Sequence, residues 1–258
     1  MRGAEGMCAA VRATAAGRAL RCLTWNIHRA RGNDGVIDPR RTLDVLLSEV
    51  WSPGTDALIL TEADGETPPH AGLLDIARLE TASGLACLHR DGATRWGPDS
   101  HGFLGVVLFL APGLTVQDVA LLDLPGHCHR GAVIADVVKA GCPLRLIGTH
   151  LSLSQVLRMA QLRTIGQHLA RRDLRQTILC GDLNEWRPWG GLALSAAVIG
   201  RRFYGPARAT FPIRRPVLPL DRVLTTAPGR VTLVQVLDGQ GIRATSDHRP
   251  LRATVQLG

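Results

Sequence analysis

Lysine is almost missing from this chain: of 30 basic residues only Lys139 is not arginine. So lopsided a ratio is what a GC-rich genome yields without selection for binding. The net charge of +8 therefore permits a polyanionic partner without establishing one. Aromatic residues are also scarce, at 4%, which leaves little material for a base-stacking platform. No apolar run approaches the roughly 20 residues needed to span a bilayer, because Arg, Asp, Glu or Gly interrupts each one. Residues 1–20, rich in Arg and Ala, carry no continuous apolar core of a secretory signal; they read as a loose extension, with Met7 as an alternative start. The six cysteines have no paired CxxC spacing and several sit in apolar runs, so they read as reduced, buried small side chains. The "HCH" at 127–129 lacks a matching ligand pair and reads as a loop, not a zinc site. These absences point to a soluble, cytoplasmic, monomeric protein.

What is present is enough apolar material, 45% of 258 residues, for one large core over 21–258. Short β-branched and Leu-rich runs read as strands: "LRCLTWNIH", "DALILTEAD", "FLGVVLFLAP", "GAVIADVV", "LRLIGTHL", "QTILCGDLN", "PLDRVLTT" and "VTLVQVLD". Three stretches space apolar residues three or four apart and read as amphipathic helices: "PRRTLDVLLSEVW", "PHAGLLDIARLETASG" and "SQVLRMAQLRTIGQHLARR", the last with Ser154 placed to cap it. Consecutive strands with short connections in the middle of the chain fit antiparallel pairing, hence an α/β sandwich of mixed sheets. The segment "TFPIRRPVLPLDR", 210–222, reads as an extended loop entering a strand.

The strand runs close on residues able to bind a metal or a phosphate. These are Asn26, Glu62, His150, Asp182 with Asn184, Asp221, and Asp247 with His248. Each alone has a plain explanation, since turns favour Asn and Asp. Together, six strand ends converging on one rim make a site. Glu62, Asp247 and the amide oxygen of Asn26 are hard donors suited to Mg²⁺ or Mn²⁺. A Mg²⁺ held by few carboxylates completes its shell with water and substrate phosphate, so phosphoester hydrolysis is the matching chemistry.

The set "TWNIH", "LTEAD", "GTHLS", "GDLNEW", "LDRV" and "SDHRPL", in this order over residues 24–251, resembles the endonuclease/exonuclease/phosphatase superfamily. The resemblance implies a deoxyribonuclease I-like fold, a four-layer sandwich of two mixed β-sheets flanked by helices. It implies His248 as general base, Asp221 as its orienter, Asp182 and Asn184 positioning water and phosphate, His150 donating to a phosphoryl oxygen, and Glu62, Asn26 and Asp247 holding the metal. The chain departs from the family pattern at Thr61, where a Gln usually precedes the Glu, and at Val106, where a Gly-Asn and a following basic pair are missing; one phosphate contact is therefore expected to be lost. Arg214 and Arg215, beside Phe211, are either forks for a phosphate or headgroup or a solvated loop. His28 shares the side of Asn26 and either reaches substrate or fills space. Arg158 and Gln161, three apart on a helix, read as buried hydrogen-bonding to the neighbouring loop. The expected activity is a metal-dependent phosphodiesterase, foremost a nuclease. A lipid-headgroup or small phosphoester hydrolase is the alternative, and a non-catalytic binding module a third reading. No hydrophobic membrane-docking hairpin is evident, which favours nucleic acid over lipid; exposed Trp or Phe on one loop of the fold would reverse that preference.

Overall fold

Central strands whose two faces are both covered run apolar without alternation, and the strand over "ALILT" is buried at every position. The computed structural model describes residues 18–128 and 130–258. Most of the expected N-terminal extension, with Cys8, and His129 of the "HCH" segment lie outside the described residues. Among those described, eleven strands form two mixed sheets. The first holds β1 (Ala19–Asn26), β2 (Ala57–Thr61), β3 (Ala86–Cys87), β4 (Val107–Leu110), β10 (Arg230–Val236) and β11 (Leu251–Gln256), in the order β10-β11-β1-β2-β4-β3. The second runs in chain order through β5 (Leu114–Leu124), β6 (Arg130–Lys139), β7 (Cys142–His150), β8 (Gln176–Asp182) and β9 (Asp221–Thr225). Only β1 with β2 and β7 with β8 pair parallel.

The sheets pack face to face through Cys22, Ile59 and Leu108 on one side and Val133, Leu146, Ile178 and Val223 on the other. Helices α1 (Pro39–Val45), α2 (Ile76–Ser83) and α5 (Gln240–Thr245) cover the outside of the first sheet, placing Leu43, Leu79 and Ile242 against Trp25, Leu58 and Leu60. Helix α3 (Gln155–Ala170), with the short α4 (Ala196–Ile199), covers the second sheet through Leu162, Ile165 and Leu169. The result is the expected four-layer sandwich.

Three local expectations change. The second amphipathic stretch forms a helix only from Ile76, because upstream backbone is committed elsewhere: Gly72 N–H donates to Asp99 and Leu73 N–H to Ala63. Asp75 then caps the helix by accepting the Arg78 N–H at 2.9 Å. Ser154 stands at the start of α3, but its hydroxyl makes no cap; its carbonyl accepts the Arg158 N–H. Cys128 is exposed, whereas Cys22, Cys87 and Cys180 are buried and free as expected. Strand β5 escapes a hydrophobic-run reading because it is an edge strand with mostly exposed or half-buried positions.

Register builds the rim. Across the second sheet His150 pairs with Asp182 and Asp182 with Asp221; across the first, Asn26 pairs with Thr61, the residue before Glu62. Gly181 permits this alignment. Its φ of 135° is closed to other residues, and a Cβ there would collide with the carbonyl oxygen of Thr149 on β7. Gly181→Ala should lower stability by at least about 2 kcal/mol in urea titration while pushing Asp182 away from His150.

His89 makes a second prediction. Its Nδ1–H donates to Thr94 O at 2.8 Å and its Nε2 accepts the Leu108 N–H at 3.3 Å, so the ring is wired as neutral. Burial pushes its pKa down from 6.5 to about 4. The unfolded chain therefore takes up a proton first as pH falls, so stability is full above pH 6.5 and declines toward pH 4. The expected loss is roughly 3 kcal/mol, read as a falling urea midpoint and absent in His89→Gln.

Candidate active site

Asp182 lies at the centre of the rim, 1% exposed. Its Oδ2 accepts from Asn26 Nδ2 at 3.0 Å, and its Oδ1 from the Asn184 N–H at 3.0 Å. Both histidines face it: His150 Nε2 stands 3.4 Å and His248 Nε2 3.8 Å from Oδ2. On its far ring nitrogen, Nδ1, His248 donates to Asp221 Oδ2 at 2.8 Å. Burial disfavours the imidazolium, but the carboxylates of Asp221, Asp182 and Asp247 outweigh it and hold the His248 pKa above its ordinary value. Burial likewise raises Asp182, partly offset by the charge of His248. His150 is driven the other way, well below its usual pKa, by burial and by the positive charge of Arg130, His248 and Arg29. One imidazole is thus tuned toward holding a proton and the other toward neutrality.

The histidine that closes the chain's last motif is positioned by neighbours that the spacing did not reveal. Ser246 Oγ donates to Asn26 O at 2.7 Å and accepts the His248 N–H at 3.1 Å, tying "SDH" to the end of β1. Trp25 Nε1 donates to His248 O at 3.0 Å. Thr210 Oγ1 donates to Asp221 Oδ2 at 2.6 Å, and the Phe211 ring packs on the His248 ring at 4.9 Å. The Pro/Arg segment is therefore a loop closed by Phe211 and Leu218 backbone bonds, whose first residues hold Asp221 and His248. Arg214 and Arg215 sit exposed on this loop.

On the first-sheet side, Glu62 emerges with a left-handed φ of 55° and accepts Asn26 Nδ2 at 3.4 Å and Arg29 Nη1 at 2.8 Å. His150 Nε2 reaches within 3.9 Å of Glu62 Oε1. The Asn26 amide oxygen is spent on the His28 N–H at 2.9 Å. His28 itself turns to Arg31 O at 3.0 Å and to Asp247 Oδ1 at 3.7 Å. Asn184, also left-handed at φ 49°, donates Nδ2 to Leu151 O at 2.8 Å and approaches His150 Nε2 at 3.3 Å. Arg158 and Gln161 behave as read from sequence: Arg158 donates to Ser152 O, Leu153 O and Glu185, and Gln161 spans Ser152 N–H and Pro125 O.

The donor chemistry suits a hard divalent cation. Asp182, Asp221 and His248 each bring one ligand atom within 4.8 Å of the others, whereas in the expected set Asp247 Oδ1 is buried without a hydrogen-bond partner among the described residues, Glu62 is paired with Arg29 and the Asn26 oxygen is taken by the His28 N–H. Beside Glu62 and His150 opens a cleft of about 200 Å³ whose lining includes Arg29, Arg130 and Gly105. Of these two arginines, Arg29 is paired with Glu62 and Glu66. Sequence reading missed both, because arginine is the default cation of this chain; the one positional signal for Arg29 is that it stands three residues from Asn26.

The comparisons agree with this architecture. The Escherichia coli K12 protein YbhP, itself uncharacterized, is 29% identical over 148 residues, 53% of this chain and 56% of its own; the chain spans about half the length of that relative. Among solved structures, an endonuclease/exonuclease/phosphatase from Beutenbergia cavernae superposes with a TM-score of 0.62 at 22% identity, over 93% of this chain and 72% of that one. D. rerio TDP2 complexed with single strand DNA product superposes with a TM-score of 0.67 at 16% identity, over 92% and 98%. These likenesses establish the fold. The family model for the Endonuclease/Exonuclease/phosphatase family matches residues 23–248, so the chain belongs to that family, whose members are hydrolases of phosphoester bonds.

Proposed function

We propose that the protein is a divalent-metal-dependent phosphodiesterase that hydrolyses its substrate with base-activated water. The observation that carries this reading is the buried His248–Asp221 pair facing Asp182. His248 Nε2 removes a proton from water, and Asp221 at Nδ1 orients the ring and balances the imidazolium that forms. Asp182 and Asn184 orient the water and the phosphate. His150, kept neutral, serves as a hydrogen-bond donor to a phosphoryl oxygen instead of a second acid. Glu62 and Asp247, with Asn26 beside them, would hold Mg²⁺ or Mn²⁺, which supplies charge neutralisation on the phosphoryl oxygens.

Two classes of phosphodiester fit the site. Nucleic acid is supported by the net charge of +8 and by likeness to a TDP2 bound to single strand DNA product. A lipid headgroup is supported by one specific observation: the loop after Asn184 exposes Trp186 and Trp189, the finding that reverses the preference for nucleic acid. We favour the lipid class.

With Mg²⁺, the purified protein should hydrolyse bis(p-nitrophenyl) phosphate, and EDTA should abolish turnover. His248→Ala should lower turnover by roughly 10²–10⁴-fold with unchanged thermal unfolding; an equal rate in the variant would refute the assigned base. Supercoiled plasmid nicking, run in parallel, reports the nucleic-acid reading.

Asp221→Asn tests the orienter through pH. The negative carboxylate favours the imidazolium, so the free base is populated only at higher pH. Removing that charge should move the rising limb of the kcat profile to lower pH while reducing its height. An unshifted limb would show that another group sets it.

A further inference from the structure

We propose that the rim beside the active site is a docking face for an anionic lipid surface, which brings headgroup phosphodiesters to the catalytic groups; its substrate half rests on the phosphodiesterase reading above. The face is built from two segments that continue directly from site residues. Trp186, Trp189 and Leu192 lie on the loop after Asn184, and Leu153 and Val156 lie between His150 and the first turn of α3. Trp189, Leu153 and Val156 are 77%, 77% and 76% exposed. The two segments touch: Arg187 Nη2 donates to Gln155 Oε1 at 2.6 Å, and the buried Arg158 pairs with Glu185 at 3.3 Å. Large apolar side chains gathered on one face mark an interaction surface, and Trp is the side chain that settles at a membrane–water boundary, its ring in the headgroup layer.

Rigidity argues against an exposure of convenience. Arg222, 1% exposed, donates to Glu185 O, Arg187 O and Pro188 O from below, holding the tryptophan loop open to solvent. The same guanidinium donates through Nε to Pro219 O at 2.7 Å, so it also fastens the turn that carries exposed Arg214 and Arg215. The loop that exposes the two tryptophans and the turn that carries the two exposed arginines thereby meet on one guanidinium, at Pro188 and Pro219. That combination matches an anionic lipid surface, where apolar insertion and basic residues act together. Base stacking fits less well: Leu153, Val156 and Leu192 have no π face, and the Arg187 guanidinium already covers the Trp186 ring at 4.5 Å.

The full chain is tested by co-sedimentation with phosphatidylglycerol/phosphatidylcholine vesicles, against the Trp189→Ser/Leu153→Ser double variant. Wild-type protein should bind phosphatidylglycerol vesicles, with affinity falling as salt rises. The double variant should bind at least about 10-fold more weakly, yet hydrolyse bis(p-nitrophenyl) phosphate within about twofold of wild type. Arg214→Gln/Arg215→Gln should weaken binding and flatten its salt dependence. Release of water-soluble phosphorus from the vesicles with Mg²⁺ should fall in step with binding. Equal vesicle binding by the double variant, or none by wild type, would overturn the docking face. Single-stranded DNA binding lost in the double variant without vesicle binding would reassign it to nucleic acid, and a wild-type dimer that becomes monomeric in the double variant would reassign it to a second copy; either outcome overturns the proposal. Vesicle binding without phosphorus release, with the soluble substrate still hydrolysed, would overturn the lipid substrate alone. Vesicle binding with no turnover of any phosphodiester would support the docking face and remove the enzymatic reading.

Discussion

A single carboxylate held almost entirely out of water, that of Asp182, is the constraint around which the rim is arranged. A buried carboxylate is costly unless its oxygens are met by donors or positive charge. Asn26, the Asn184 N–H and the two histidines meet it from four directions. These partners come from both sheets, so the face-to-face packing of the sandwich and the electrostatics of the site are one requirement. A slip of one residue in β8 would turn Asp182 to the opposite face and leave Asn26 and both imidazoles without their common partner.

The site combines groups of opposite tendency within a few ångströms. Asp221 and Asp182 favour a proton on His248, while Arg29 and Arg130 disfavour one on His150. Because the two imidazoles share Asp182, the charge on one is sensed by the other, and the site titrates as a unit. A divalent cation held, as proposed, by Glu62 and Asp247 would add positive charge to the same cluster and link metal occupancy to protonation.

Much of this was legible in the chain. The strand-ending polar residues pointed to the rim because an acid, amide or imidazole repeatedly follows an apolar run, and register then placed His150, Asp182 and Asp221 side by side. Less was legible where the signal was not local. Thr210 and Ser246 position His248 through contacts with Asp221 and Asn26 that no spacing encodes. The exposure of the tryptophans of "NEWRPW" was not legible, since sequence does not tell a buried ring from one propped outward by an arginine 30 or more residues away. The helix expected from Pro69 shortened to Ile76 because long-range backbone bonds overrode an amphipathic pattern.

The arginine excess also has an architectural side. Arg145, Arg158 and Arg222 are each 1% exposed and serve as internal braces, so part of the formal charge never faces a partner. Arg222 extends this furthest, reaching four carbonyl oxygens, on Glu185, Arg187, Pro188 and Pro219. Lysine, with three donors on a tetrahedral ammonium, cannot span that planar set. The two loops therefore share one keystone. Insertions or deletions in either are confined to lengths that return its carbonyls to the same guanidinium, and the loops are bound to diverge together as a matched pair.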